Sequence, residues 1–299
     1  MTFRSGFIGL VGTPNAGKSS FLNLVLKEKI SIVTAKPQTT RRRINGIVNE
    51  DDMQAIFVDA PGLVRSSSGL NPFLIDELND VIQSSDALLA VLSLDEKNPE
   101  QLDEIIKMCV DSKKPWAAFI NKIDLSDKAH RLGIIIEKVK LTGQPYFVGT
   151  CSHSEGVPQK EIMEYFKSVL PETGAPLYDS EVYTTTSVRD ICSEIVREKC
   201  FEFLHQEIPY SIAVTVMKFD ETEKIPHIVF EIIVAKESHK PLVIGKKGEK
   251  LKEIGSAARK EIEKLLDSKV FMELHVSYKD SWMKNKRLMG DLGYVVKME

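Results

Sequence analysis

The sequence predicts an α/β domain built on a mostly parallel, doubly wound sheet, followed by a smaller α+β domain. Three observations carry that expectation. Residues 1–172 alternate short unbroken apolar runs with amphipathic stretches, as strands buried on both faces and joined by helical crossovers do. The rest of the chain changes rhythm, to a helix, two strands, a glycine turn, a second helix and a last strand. Between the two patterns Pro171, Gly174 and Pro176 break both periodicities. The expected division is therefore 1–172 for the first domain, 173–180 for a linker and 181–299 for the second.

In chain order, the apolar runs 7–11, 55–58, 87–92, 116–120 and 146–148 predict parallel strands, and 44–48 adds an edge strand. In the second part, 187–206 predicts a helix with Ile191, Ile195 and Phe203 among its apolar positions. Strands are expected at 210–217 and 228–235, a helix over 249–266 through Leu251, Ile254, Ile262 and Leu265, and a closing strand at 270–278. A chain of 299 residues is long enough for two separate cores. No apolar run approaches the roughly eighteen residues that span a bilayer. The net charge of −3 confines any nucleic-acid contact to a local patch. Cys109, Cys151, Cys192 and Cys200 form no C-x-x-C pair, and no secretory leader is evident. Reduced thiols in the cytosol, most of them small core residues, are the expectation.

The chemistry begins at Gly12-Thr13-Pro14-Asn15-Ala16-Gly17-Lys18-Ser19, which fits the P-loop pattern of nucleotide-hydrolysing domains directly after a strand. Its glycines let backbone N–H groups close around phosphate oxygens, and the following helix, through Ser20, aims its positive end at them. Lys18 would neutralise the β- and γ-phosphates, and the Ser19 hydroxyl would ligate Mg²⁺. Asp59-Ala60-Pro61-Gly62 follows the strand at 55–58. Its carboxylate can hold Mg²⁺ through water, while the Gly62 N–H can sense a γ-phosphate. Between these motifs lies Lys36-Pro37-Gln38-Thr39-Thr40-Arg41-Arg42-Arg43. Thr39 or Thr40 would close over the γ-phosphate and complete the metal's oxygen set, and the sequence does not choose between them. The three arginines serve phosphate, RNA or plain solvation.

Asn121-Lys122-Ile123-Asp124 follows the strand at 116–120 and turns a general phosphate site into a guanine site. A carboxylate at the base edge accepts from guanine N1 and the exocyclic amine. Adenine lacks that donor pair, and an unpaired buried carboxylate costs more than one missed contact gains.

In the second domain, Val243-Ile244-Gly245-Lys246-Lys247-Gly248 resembles the G-x-x-G loop of a KH domain. Two glycines let the backbone approach a nucleic-acid strand, and the lysines between them, with Lys250 beyond, supply phosphate contacts. From 236 to 260 the chain carries eight Lys or Arg against three Glu, a basic patch within an acidic whole. RNA is the expected partner, because KH folds grip single strands.

The four first-domain elements, in this order, resemble the G domain of translation-factor-class GTPases, and G-x-P-N-x-G-K-S with D-x-P-G resembles the TrmE–Era–EngA group. The order helix–strand–strand–helix–G-x-x-G–helix–strand resembles a type II KH domain. The resemblance extends over nearly the whole chain, including 195–199, 208–211, 253–255 and 291–294. A single P-loop separates the chain from members with two G domains. The folate-binding region and C-terminal cysteine motif of TrmE are also not found.

The resemblance implies a GTPase, GTP to GDP and phosphate, of slow intrinsic rate, that acts in small ribosomal subunit assembly. It implies binding to the 3′ end of small-subunit ribosomal RNA, with hydrolysis resetting the RNA-bound state. It further implies a monomer, cytoplasmic and peripherally associated with the inner face of the membrane. A fifth element with backbone contacts to guanine falls at Thr150-Cys151-Ser152, where the group normally reads S-A-x. The glutamine that orients water in Ras-type enzymes is replaced by Leu63. In several members of the group the asparagine at the place of Asn15 helps bind K⁺. The catalytic set implied is Asn15, Lys18, Thr39, Thr40 and Gly62, and the metal set is Ser19, Thr39, Thr40 and Asp59.

Overall fold

The computed structural model describes residues 2–34, 36, 39–63, 70–222 and 225–294; Pro37 and Gln38 of the hydroxyl-rich segment lie outside them. Two compact units divide the chain. The first comprises Met1–Ser31 and Thr40–Thr185, the second Ile32–Thr39 and Thr186–Glu299.

The first unit holds a six-stranded sheet of β1 (Arg4–Gly12), β2 (Ile44–Glu50), β3 (Met53–Asp59), β4 (Ala87–Ser93), β5 (Trp116–Asn121) and β6 (Tyr146–Val148), in the order β2-β3-β1-β4-β5-β6. All neighbours are parallel except β2, which runs antiparallel to β3 at the edge. Helices α1 (Lys18–Leu26), α2 (Asn71–Ser84), α3 (Pro99–Asp111), α4 (His130–Lys140) and α5 (Gln159–Val169) cross between the strands. Phe21 of α1 and Phe166 of α5 meet Phe57 and Phe119 on one face. Val81, Ile105, Ile135 and Val139 pack with Leu88, Ala90 and Ala118 on the other. Burial on both faces is why β3, β4 and β5 read as apolar runs without alternation. The chain order reverses beside β1, so β1, β3 and β5 end along one rim, where ligands of such folds bind.

Residues of the expected linker are strapped to this unit. Gln54, buried in β3, accepts from the N–H groups of Leu177 (2.8 Å) and Tyr178 (2.9 Å) and donates to the Tyr178 carbonyl (2.8 Å). Ile47 N–H donates to Tyr183 O (2.8 Å) and Thr184 Oγ1 to Asn45 O (2.7 Å), which covers the open edge of β2.

The second unit opens with α6 (Val188–Phe203), N-capped by Ser187. Its sheet has the order β7-β8-β9, from β7 (Ile212–Asp220), β8 (His227–Val234) and β9 (Phe271–Tyr278). β7 is antiparallel and β9 parallel to β8. Between β8 and β9 come α7 (Lys240–Ile244) and α8 (Glu249–Leu265), and α9 (Lys286–Asp291) follows. This is the order of elements the sequence predicts for a type II KH domain. Trp282, fully buried, donates to Ser211 O at 3.1 Å and stacks on Tyr294. The Ile32–Thr39 segment belongs here because α6 holds it. Val33 N–H donates to Glu198 Oε1 (3.1 Å), Lys36 Nζ donates to the carbonyls of Phe201 and Leu204 at the helix end, and Arg197 donates to Thr39 O.

Among the described residues no helix is long and apolar enough to cross a membrane. Cys109, Cys192 and Cys200 are buried and Cys151 half-buried, all as free thiols.

Candidate functional site

Gly12 ends β1 and Gly17 caps α1, so the loop between them turns within five residues. Gly17 has φ +104°, and a Cβ there would lie 2.0 Å from Asn121 Nδ2. Only glycine satisfies both constraints. Asn15, exposed, also takes positive φ. Thr13 and Ala16 are buried, while Pro14 and Ser20 are half-buried.

Lys18 is buried, and its ammonium donates to Gly12 O (3.2 Å) and Thr13 O (3.0 Å). Burial pulls its pKa down to about 8, opposed by the Asp59 carboxylate. Burial pushes the Asp59 carboxyl up, opposed by Lys18 and then by the hydroxyls of Ser19, Ser31 and Thr40. Those hydroxyls converge on a single oxygen, Asp59 Oδ2, at 2.6, 2.9 and 3.5 Å respectively. Ser19 Oγ and Thr40 Oγ1 are 2.9 Å apart. Among the described residues Asp59 Oδ1 is buried without a hydrogen-bond partner, so its lone pairs are open to a further donor. Hard oxygens from Ser19, Thr40 and Asp59, gathered beside a lysine, fit Mg²⁺. The structure thus separates the two threonines that the sequence left equivalent. Thr40 joins the hydroxyl cluster, while the Thr39 carbonyl is held by Arg197 in the second unit. Of the three arginines, Arg43 pairs with Glu77 (2.7 Å) and Asp80 (3.1 Å) on α2, a structural role.

Ala60, Pro61 and Gly62 are buried against the loop. A Cβ at Gly62 would lie 2.6 Å from Pro14 N, and Leu63 N–H donates to Gly12 O at 3.1 Å. Leu63 is buried among apolar side chains.

Asn121 ends β5 and ties the rim together. Its Nδ2 donates to Ala16 O (2.8 Å), and its Oδ1 accepts from Lys122 N (2.8 Å) and Cys151 N (3.0 Å). Lys122 adopts positive φ, which carries Ile123 and Asp124 out to an exposed position. Thr150 Oγ1 donates to Asp124 Oδ1 and lies 2.9 Å from Ser152 Oγ. The departure Thr150-Cys151-Ser152 therefore orients the proposed base-reading carboxylate. The N–H of Cys151 is taken by Asn121 and that of Ser152 by Thr150 (3.1 Å).

In the second unit, Gly245 has φ +75° and ψ 176°, a region almost confined to glycine, and Gly248 has φ +80°. The turn leaves Lys246 and Lys247 exposed. Lys250 Nζ pairs with Glu253 at 2.6 Å and lies 5.9 Å above the Phe203 ring. Val243 is fully buried and anchors the loop in the core; Ile244 is half-buried.

Sequence reasoning missed Ser31, Asn23 and Gln54. Each is polar and buried or partly buried in a non-motif position, and no local spacing marks it.

A P-loop with a base-side carboxylate, on a parallel sheet and joined to a G-x-x-G fold, defines a GTPase with an RNA-binding module. Comparison with known proteins agrees. The family model described as "50S ribosome-binding GTPase" matches residues 7–122, and that described as "KH domain" matches 207–283. Among curated proteins, GTPase Era of Geobacter metallireducens is 39% identical over 297 residues, covering 98% of each chain. GTPase Era of Geotalea uraniireducens is 40% identical, again over 98% of each. Two solved structures match with TM-score 0.89 and 30% identity, each covering 98% of this chain and 100% of the other. One is an Aquifex aeolicus Era variant bound to GDP and AlF₄⁻, the other Era with MgGDPNP and nucleotides 1506–1542 of 16S ribosomal RNA. The chain belongs to the Era family of GTPases.

Proposed function

We infer that this chain hydrolyses GTP to GDP and phosphate, binds the 3′ end of small-subunit ribosomal RNA, and acts in small ribosomal subunit assembly. Hydrolysis resets the RNA-bound state. The observation that carries this reading is the junction, in one chain, of a buried phosphate site edged by the exposed Asp124 with an exposed Lys246-Lys247 loop. Full-length relatives named GTPase Era, and the ribosomal RNA bound in a solved relative, support it.

Lys18 neutralises the β- and γ-phosphates, the N–H groups from Gly12 to Ser20 cradle them, and Gly62 senses the γ-phosphate. Ser19, Thr40 and Asp59 are the groups that would hold Mg²⁺, which would neutralise charge on the phosphates when bound. Thr39 acts one residue away, through its backbone. Leu63, buried, orients no water, so turnover is slow. Asn15, exposed at positive φ in the phosphate loop, would help hold K⁺, which would add positive charge to the site. On the RNA side Lys246, Lys247 and Lys250 contact phosphates, positioned by Gly245 and Gly248. The family resemblance adds a cytoplasmic monomer with peripheral attachment to the inner face of the membrane.

Single-turnover GTP hydrolysis tests the reading, in K⁺ or Na⁺ and with or without an oligonucleotide of the ribosomal RNA 3′ end. The expected result is a slow basal rate, raised in K⁺ and lost back to the Na⁺ level in Asn15→Ala. Equal rates in both salts would remove K⁺. Failure of the oligonucleotide to bind the GTP-loaded protein would remove the RNA role.

A further inference from the structure

Asp59 does not use its two carboxylate oxygens alike. Oδ2 accepts from Ser19, Ser31 and Thr40, and buried Oδ1 accepts from none of the described residues. Ser19 and Thr40 are the hydroxyls whose lone pairs suit a metal. Ser31 belongs to no nucleotide motif, yet it is 1% exposed and donates to Oδ2 at 2.9 Å.

Ser31 stands in neither a helix nor a strand, so something else must fix it. The Asn23 amide does so from both sides. Asn23 Oδ1 accepts from Ile30 N (3.0 Å) and Ser31 N (2.9 Å), and Asn23 Nδ2 donates to Ser31 O (2.7 Å). Asn23 lies one turn beyond Ser19 on α1 and so on the same helical face. One helix thus presents the hydroxyl beside the phosphate loop and also brackets the serine that orients the facing carboxylate.

Resting on the reading of this rim as a Mg²⁺–guanine nucleotide site, we propose that Ser31, bracketed by Asn23, is a positioning residue that orients Asp59. Its hydroxyl donates to Oδ2, the oxygen that Ser19 and Thr40 also address, and so fixes the plane of the carboxylate beside the groups that would hold the metal. The Ser31 hydrogen bond restrains rotation of the carboxylate about its Cβ–Cγ bond, and it does so independently of whether Ser19 and Thr40 are engaged by a metal. Groups of this kind, which hold a metal-binding carboxylate by hydrogen bonding, govern metal affinity about 10- to 100-fold.

The test follows release of fluorescently labelled GDP from the full chain as MgCl₂ is titrated, beside the same measurement in EDTA. In Ser31→Ala, the Mg²⁺ midpoint for slowing GDP release should rise about 10-fold or more, with GDP affinity in EDTA within about twofold of the parent. Asn23→Ala should shift the same midpoint, and the double variant should add little beyond the larger single effect, since the two act in series. An unchanged midpoint in Ser31→Ala overturns the proposal. So does an equal loss with and without Mg²⁺, which marks a merely structural serine. Should Ser31→Ala not fold, Ser31→Cys, nearly isosteric with a weaker donor, is read in the same titration, and an unshifted midpoint there also overturns it. Failure of the parent chain to bind labelled GDP is a different result, which overturns the nucleotide reading itself.

Discussion

The phosphate rim and the G-x-x-G turn both address phosphate, but they are built in opposite ways. At the rim the polar groups are withdrawn from water: Asp59 is 0%, Asn121 1% and Lys18 6% exposed. Before any ligand arrives Lys18 and Asn121 are bonded to the loop backbone and Asp59 Oδ2 to Ser19, while Asp59 Oδ1 has no partner among the described residues. At the turn, Lys246 and Lys247 stand in solvent on a backbone held by two positive-φ glycines. A buried site discriminates, because each wrong ligand leaves a desolvated group unpaired. An exposed one gains affinity from charge and releases counterions, so salt weakens it and it reads less chemistry. The contrast suits a protein that must distinguish one nucleotide while gripping a strand it can later release.

The largest expected effect falls on the discriminating side. Asp124→Asn should swap guanine for xanthine preference, changing the GTP-to-XTP affinity ratio about 10⁴-fold. Competition binding measures it, and unchanged GTP selectivity would refute the assignment of Asp124. On the other side, Lys246→Ala with Lys247→Ala should weaken RNA binding at low salt. The slope of log affinity against log salt should fall by about 1.4 for the two charges. GDP binding should be unaffected. An unchanged slope would mean that the lysines are only solvated.

The smallest effect is a pH dependence confined to the buried side. With its pKa drawn down to about 8 by burial, the free protein begins to lose the Lys18 proton near pH 8. Bound phosphates favour the charged ammonium, so binding takes up a proton above that pH. GDP affinity should therefore fall as pH rises, by about fourfold between pH 7 and 8.5. RNA binding by the exposed lysines should stay flat over this window. Fluorescence titrations of both ligands across the range check the contrast.

How far each site was readable follows from the distance over which its requirements act. Gly12 to Ser19 and Gly245 to Gly248 were legible because a tight turn before a helix imposes glycines and donors within a few residues. The strands of the first unit were legible because burial on both faces removes alternation. The burial of Val243 was not legible, because an apolar residue entering a loop looks the same whether it meets a base or a core. The strap over 173–185 was missed because prolines and a glycine announce a break in periodicity and say nothing of where the chain goes next. Gln54, which receives that strap, resembles any polar residue in a strand until its buried amide is seen with its partners.

What the linear order of residues settled was local: a phosphate loop, a carboxylate after a strand, a guanine motif and a second glycine turn. Only the folded chain decided which hydroxyls Asp59 would meet. Ser31 lies 28 positions away and Thr40 lies 19, on segments with no regular structure. Folding likewise set Asn121 against Ala16 across 105 positions, which made Asn121 the tie between the phosphate loop and the guanine motif. Such pairings depend on where crossovers place the strand ends. That placement comes from burying both faces of the sheet at once, a condition on the whole domain that no short window of sequence contains.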